Sequence, residues 1–245
     1  MAATNTELVE QFKAESSRAG AAVYEATSVD DASDYVLKLA QERDVKHAVK
    51  SKSKLADKLR LPERLEKAGI EVKETDLEEW IVQLGGKKPT GQKTLEQITE
   101  LISKAIGKKL NPDPRILLSA ANREMRQSCI NADMGISEAN VAIAETGTLV
   151  IMSNSGDSRL VAVLPRIHLT VVDCGDIVPT LEDAAARIKS FGRSMTDGNF
   201  SSYVTYITGR NTTADIPGAI LARAQGPAEE HILLLNKAAS NRGVA

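Results

Sequence analysis

Aromatic side chains make up only 3% of this 245-residue sequence, so a core must be assembled from Ala, Val, Ile and Leu. That scarcity argues against a base-stacking platform, and no nucleic-acid partner is expected. Cysteine is nearly absent: Cys129 and Cys174 are the only two. Two thiolates supply neither the four ligands that most iron–sulfur clusters need nor a disulfide scaffold. His47 and His231 stand isolated, metal-ligand spacing is missing, and no metal site is expected. Charge of one sign is lacking too, since 31 Lys and Arg face 33 Asp and Glu for a net −2, so no global field attracts polyanions. No run approaches the roughly 18 apolar residues of a membrane span. The opening MAATNTELVEQF has no signal-peptide character, and a soluble cytoplasmic protein is the expectation. Neither Walker A nor GxGxxG occurs, which leaves a nucleotide site without support.

What remains is a chain 42% hydrophobic and 26% charged, able to bury a sizeable core as one large domain over 1–245. A first helix over 1–20 carries Leu8, Phe12 and Ala19 on one face and stops at Gly20. Residues 21–84 read as an α/β part. Its strand candidates are Ala21–Tyr24, His47–Val49 and Ile70–Val72, and a helical stretch runs to Lys67. Helices are opened there by Ser28 with Asp31 and by Thr75 with Glu78. Strands and helices alternating at this spacing imply crossover units on a parallel sheet. Residues 85–135 read as a helical connection, capped by Thr94 with Gln97 and continued beyond Pro112 and Pro114 to about Asp133. Residues 136–245 form a second α/β part with strand candidates Val141–Ala144, Thr148–Met152, Ile167–Asp173, Tyr203–Thr208 and His231–Leu235, and with a helix opened by Thr180 with Asp183.

Turns at the carboxyl ends of parallel strands are where such folds bind ligands, so candidate residues are sought there. A short apolar strand delivers Glu145 into the turn Thr146-Gly147-Thr148. A carboxylate so placed suits a nucleophile or base, and it equally suits a side chain that satisfies turn amides. Asn154-Ser155-Gly156-Asp157-Ser158-Arg159 offers amides and a guanidinium to an anion, or is an ordinary turn. Arg166 and His168 flank Ile167 and project to one face, as an anion-binding pair or as strand-end hydrogen-bonding groups. Lys50-Ser51-Lys52-Ser53 follows a strand and could meet an anion at the sheet edge, whereas a solvated helix face explains most of the lysines from Lys46 to Lys58. Cys129 falls in register with Met125 and Ala132, which makes it a core thiol.

At these residues the sequence resembles a known family. DMGISEANVAIAETGTLV, NSGDSRLVAVLPRIHLTVV and IVPTLEDA resemble the lactate-utilisation (LUD) domain, as do Thr213-Ala214-Asp215-Ile216 and Gly226-Pro227 with His231. VKSKS and GIEVKETDLEEWIVQL resemble the N-terminal region of the family's B-type, iron–sulfur members. The resemblance implies an α/β, Rossmann-like fold with a helical N-terminal part, of the class shared by CoA transferases, ribose-5-phosphate isomerase and glucosamine-6-phosphate deaminase. It also implies a part in an L-lactate oxidation complex with iron–sulfur partners.

Departures refine that expectation. The B-type members continue into a cysteine-rich region, whereas this sequence holds two cysteines and ends at Ala245. Iron–sulfur clusters are therefore expected in partner proteins and no cofactor in this chain. The family's arginine position near its closing motif holds Thr212, with Arg210 two residues earlier. The resemblance implies a small carboxylate or acyl ligand in a cleft of the Glu145 turn, the Asn154–Arg159 loop, Arg166 and the Thr213–Asp215 loop. Glu145 would be the acid/base or nucleophile, as its analogue is in CoA transferases. A non-catalytic subunit or assembly factor is the alternative from another class, and a CoA transferase-like or sugar-phosphate enzyme is a third.

Overall fold

The computed structural model describes residues 5–85, 93–194, 203–210 and 226–236. Along the chain, helix α1 (Asn5–Arg18) precedes strand β1 (Ala22–Ala26), α2 (Val29–Glu42) and β2 (His47–Lys50). Two short helices, α3 (Lys54–Lys58) and α4 (Leu61–Lys67), lead to β3 (Glu71–Glu74). Three helices follow: α5 (Leu77–Gly85), α6 (Leu95–Ile106) and α7 (Pro114–Asn131). The second half runs β4 (Met134–Glu138), β5 (Val141–Ile143), β6 (Thr148–Ser153), α8 (Asp157–Val163), β7 (Ile167–Asp173), β8 (Ile177–Val178), α9 (Leu181–Ser194), β9 (Tyr203–Thr208) and β10 (Glu229–Leu235).

Six strands make one sheet in the order β1-β10-β7-β4-β2-β3, and every pairing in it is parallel. The mixed α/β architecture matches the expected fold class. Four shorter strands form a second sheet, β8-β5-β6-β9, in which β6 runs antiparallel to both neighbours. The parallel first half is present, but β1 does not lie beside β2: β10, β7 and β4 are inserted between them.

Period-two alternation explains how the central sheet carries two cores. One face sets Met134, Ile136, Leu169, Val171 and Leu233 against Val36 of α2 and Leu61 and Leu65 of α4. The other sets Val172, Ile232 and Leu234 against Phe12 of α1 and Ala142 and Leu149 of the second sheet. Each such Leu, Ile or Val contributes about 1.5–3 kcal/mol on full burial. Helices α5, α6 and α7 make a separate cluster around Trp80, Ile102, Leu117 and Met125.

Several helix starts follow the capping chemistry read from sequence. Ser28 Oγ accepts from Asp31 N at 3.1 Å, and Thr94 with Gln97 forms a reciprocal capping box. Thr180 Oγ1 accepts from Asp183 N at 3.2 Å. Thr75 departs from expectation. Asp76 takes over as the cap of α5, its Oδ1 accepting from Glu78 N and Glu79 N at 3.1 and 3.2 Å. Thr75 is left buried at the mouth of the sheet.

Strand β4, β8 and helix α8 are additions that the sequence pattern does not announce. In β4, Gly135 replaces a side chain because Val161 of α8 presses on the strand: a Cβ there would lie 2.0 Å from the Val161 carbonyl oxygen. Ser137 is a polar residue facing a buried network. A Gly and a Ser in five residues erase the apolar signature of a central strand. The single helical stretch expected up to Lys67 is broken at Arg60, whose φ of 53° is left-handed.

Candidate functional site

The central sheet has a topological switch between β2 and β4. The chain leaves β2 toward β3 on one side, while β4 is followed in the sheet by β7 on the other. Crevices outside the carboxyl ends of such a strand pair are where open α/β sheets bind ligands. Here that mouth is built from Lys50-Ser51-Lys52-Ser53 after β2, Glu74-Thr75 at the end of β3, and Glu138 at the end of β4.

Lys50 is 1% exposed, yet its Nζ lies 3.0 Å from Asp57 Oδ1 and 3.1 Å from Glu74 Oε2. Burial alone would push its pKa down; the Glu74 and Asp57 carboxylates outweigh that and hold it above the ordinary lysine value. Glu74 bears the cost of burial, which raises its pKa to about 7 against the opposing pull of Lys50. The two directions are compatible because Lys50 has a second partner. Asp57 is half exposed and stays 3.0 Å from Nζ, so the lysine keeps a carboxylate partner when Glu74 takes up a proton. Glu74 Oε2 is paired by distance alone and has no hydrogen bond of proper direction.

Hydroxyls knit the mouth together. Ser51 N donates to Ile136 O at 3.0 Å, which ties the β2 exit to β4. Ser53 Oγ accepts from Ala56 N at the start of α3 and donates to Glu138 Oε2 at 2.9 Å. Thr75 Oγ1 lies 3.1 Å from Lys50 O and 3.3 Å from Asp157 Oδ2. Through that last contact the Asn154–Arg159 segment joins the mouth. Ser155 Oγ donates to the other Asp157 oxygen, Oδ1, and Gly156, at φ 74°, starts α8 and donates its N–H to Ser153 Oγ at 3.1 Å. A Cβ on Gly156 would sit 3.4 Å from the ring of Tyr203 on β9. Among the described residues Lys52 Nζ pairs only with the exposed Glu78 at 3.4 Å and Glu79 at 4.0 Å. Arg159, exposed in the first turn of α8, has no ion pair among the described residues. The rim thus offers one loosely held ammonium, that of Lys52, above the Lys50–Glu74 pair, a pattern suited to small anions.

The other sequence candidates lie elsewhere. Glu145 is exposed between β5 and β6, and its Oε1 accepts from Leu181 N at 2.8 Å, capping α9. Thr146, Thr148 and Thr208 form a hydroxyl chain with steps of 2.7 and 2.8 Å. Gly147, at φ 63°, lies under α1 so closely that a Cβ would be 2.3 Å from Ser16 N. No hydrogen bond or ion pair among the described residues joins this turn to the Lys50 mouth. Arg166 precedes β7, at the amino end of the sheet. Its Nη2 donates to Arg43 O, and its Nε lies 3.7 Å from Asp133. The expected cleft joining Arg166 to the Asn154–Arg159 loop is therefore not formed, because the two lie at opposite ends of the sheet. Thr213 and Asp215 lie outside the described residues.

His168 is fully buried in mid-sheet. Its Nε2 lies 2.8 Å from Ser137 Oγ and its Nδ1 2.8 Å from Glu230 Oε2, while Thr170 Oγ1 donates to Glu230 Oε1 at 3.2 Å. The spacing is that of a Ser–His–carboxylate triad. Every member is 0 or 1% exposed, so no substrate reaches Ser137, and the network serves to lock β4, β7 and β10 together. Sequence reasoning missed Ser137, Thr170 and Glu230, and also Asp57, Glu74, Thr75 and Glu138 at the mouth. The usable signal was modest: an acidic residue closing a short strand, at Glu74 and Glu138.

The thiols are inert by environment. Burial pushes Cys129 up to about 12 and Cys174 up to about 11. They sit in different core clusters, so together they do not fit an iron–sulfur centre. Among the described residues no group of three or more His, Cys, Asp or Glu side chains is placed to hold a metal ion, and no helix is long and apolar enough to cross a membrane.

With this geometry in place, the relationships of the sequence can be read. The profile of the LUD domain matches residues 9–235. Lactate utilization protein B of Geobacillus thermodenitrificans is 32% identical over 229 residues, covering 91% of this chain and 46% of that protein. The protein of the same name from Bacillus subtilis is likewise 32% identical over 229 residues. The chain thus spans about half the length of the curated relatives it matches. The crystal structure of a DUF162 family protein from Deinococcus radiodurans has a similar fold, with a TM-score of 0.53 at 15% identity over 96% of this chain and 99% of that one.

Proposed function

Because the chain belongs to the LUD domain family, we propose that it serves the utilisation of lactate or a related organic acid by binding a small carboxylate or acyl ligand at the β2–β4 mouth. The relatives named Lactate utilization protein B support the pathway class. The observation that carries the location is the Thr75–Asp157 contact, which brings the Asn154–Arg159 segment to the Lys50–Ser53 exit. In this reading Lys52 and Arg159 hold the ligand carboxylate. Lys50, kept charged by Asp57 and Glu74, supplies a fixed positive potential beneath it. Glu74, with a pKa of about 7, is the group able to exchange a proton there at neutral pH.

Electron transfer is assigned to iron–sulfur partner proteins in the cytoplasm, since the two buried thiols of this chain stand in separate clusters. Co-purification of a cluster-bearing protein in constant ratio is the expected result. The ligand reading is tested by thermal-shift screening of the chain with L-lactate, pyruvate and acetyl-CoA. At least one should raise Tm, and Arg159→Ala should remove the response. An unchanged response in Arg159→Ala would place the ligand elsewhere.

Glu145 supports a second reading, because its carboxylate is exposed at a turn and, among the described residues, only Oε1 is engaged. Attack of Glu145 on an acyl-CoA would release the CoA thiolate and leave an acyl–glutamyl anhydride. The free thiolate can return to that anhydride with loss of the carboxylate, giving a Glu145–CoA thioester. Mass spectrometry after incubation with acetyl-CoA should then find Glu145 modified, and an unmodified residue removes this reading.

A further inference from the structure

A cavity of about 460 Å³ lies on the outer side of the helical layer that covers the first face of the central sheet. Leu37 of α2 and Ala68 give it an apolar side, while Arg60, Glu63, Arg64 and Lys67 supply the rest of its lining. Arg64 and Lys67, three residues apart, share a face of α4, and Arg60 stands at its N-cap, so three cations line the cavity. Arg64 is paired with the exposed Asp30. Arg60 and Lys67 have no ion pair or side-chain hydrogen bond among the described residues.

Arg60 is also held in the left-handed region, at φ 53° and ψ 38°. The turn itself needs that conformation, since Arg60 N closes on Asp57 O at 2.9 Å before α4 begins. Glycine would make the same turn without steric cost. An arginine at that position is strained, and its guanidinium recovers nothing from a partner among the described residues. Strain without an internal compensation marks a residue kept for an external one.

We propose that this cavity is a second binding site, for a small organic phosphate. Its phosphoryl oxygens would be gripped by Arg60 and Arg64 with Lys67 adding charge, and its less polar body would rest on Leu37 and Ala68. Guanidinium forks match phosphate geometry in a way that isolated surface lysines do not. The volume falls within the usual range for small-molecule sites. The site is independent of the carboxylate site at the β2–β4 mouth, and either can fail without the other.

The probe is inorganic pyrophosphate, titrated into the full chain by calorimetry at constant ionic strength, with melting followed in parallel. Wild type should bind and gain Tm. Arg60→Gly should melt higher than wild type without ligand, because the strain is relieved, and bind pyrophosphate at least tenfold more weakly. Lys67→Ala should weaken binding to a similar degree, and neither variant should alter the response to small carboxylates. Absence of binding by wild type overturns the proposal, as does equal binding by both variants or a lower melting point for Arg60→Gly. Binding of a poly-glutamate peptide without pyrophosphate would overturn it in favour of an acidic protein segment.

Discussion

Thr75 and Asp157, 82 residues apart, meet at 3.3 Å between Oγ1 and Oδ2, and this contact joins the exit of β3 to the start of α8. The hydroxyl also lies 3.1 Å from Lys50 O, so one buried side chain links three segments of the mouth. Thr75→Val keeps the shape and removes the hydroxyl. We expect a stability loss of about 1 kcal/mol, the usual net worth of one hydrogen bond, together with a weaker carboxylate response. Denaturant melts paired with the thermal-shift screen measure both. A variant with full ligand response would detach the α8 segment from the site.

Glu74 gives the protein a pH signature. Its folded pKa of about 7 stands above the ordinary 4.5, so the fold favours the protonated form. Its contribution is fully present below pH 4.5 and is lost as pH rises through 7. Over that window the native state binds more protons than the unfolded one, and stability falls by up to about 3 kcal/mol. Glu74→Gln should flatten this dependence. At pH 8 the variant should be more stable than wild type by about 1–3 kcal/mol, with the two converging near pH 5. Urea titrations at both pH values decide the matter, and parallel curves would contradict the assignment.

The buried Ser137–His168–Glu230 network should behave as structure rather than as chemistry. Glu230→Ala leaves His168 without its partner and should cost about 3–5 kcal/mol, the usual penalty for breaking a buried pair. A fluorophosphonate probe should not label Ser137 in the native chain. Labelling at that serine would show an access route and turn the network into a candidate active site.

Gly135 tests the central placement of β4. A methyl group there would stand 2.0 Å from the Val161 carbonyl oxygen, which is backbone and cannot swing aside. Gly135→Ala should destabilise the chain by about 3 kcal/mol or more, at or beyond the upper end for overpacking. Circular dichroism melts follow it directly. A neutral variant would mean that α8 does not press on β4.

How far the sequence speaks depends on whether a feature is local. The strand Ile167–Asp173 is legible to the residue because a mostly apolar stretch rich in β-branched residues ends in a polar turn, and Ser28, Thr94 and Thr180 mark helix starts through contacts three residues long. Strand β4 is hidden because Gly135 and Ser137 answer to Val161 and His168, which only the tertiary fold brings near. The site divides in the same way. Lys50, Ser51 and Lys52 stand out as polar residues at a strand exit, and Asp157 as part of a polar loop. Their partners Glu74, Asp57 and Thr75 come from separate elements, and no spacing rule connects them. Arg166 illustrates the converse: beside His168 in sequence it suggests a ligand pair, yet it caps the amino end of the sheet through Arg43 O and Asp133.

The sharpest test of the ligand site compares the two ends of the central sheet. Calorimetric titration with whichever of L-lactate, pyruvate or acetyl-CoA stabilises the chain should be run on wild type, Lys52→Ala and Arg166→Ala. Lys52→Ala should weaken binding about tenfold, the effect of losing roughly 1.4 kcal/mol, while Arg166→Ala binds as wild type does. Loss of binding in Arg166→Ala with Lys52→Ala unaffected would place the ligand at the amino end and contradict the account.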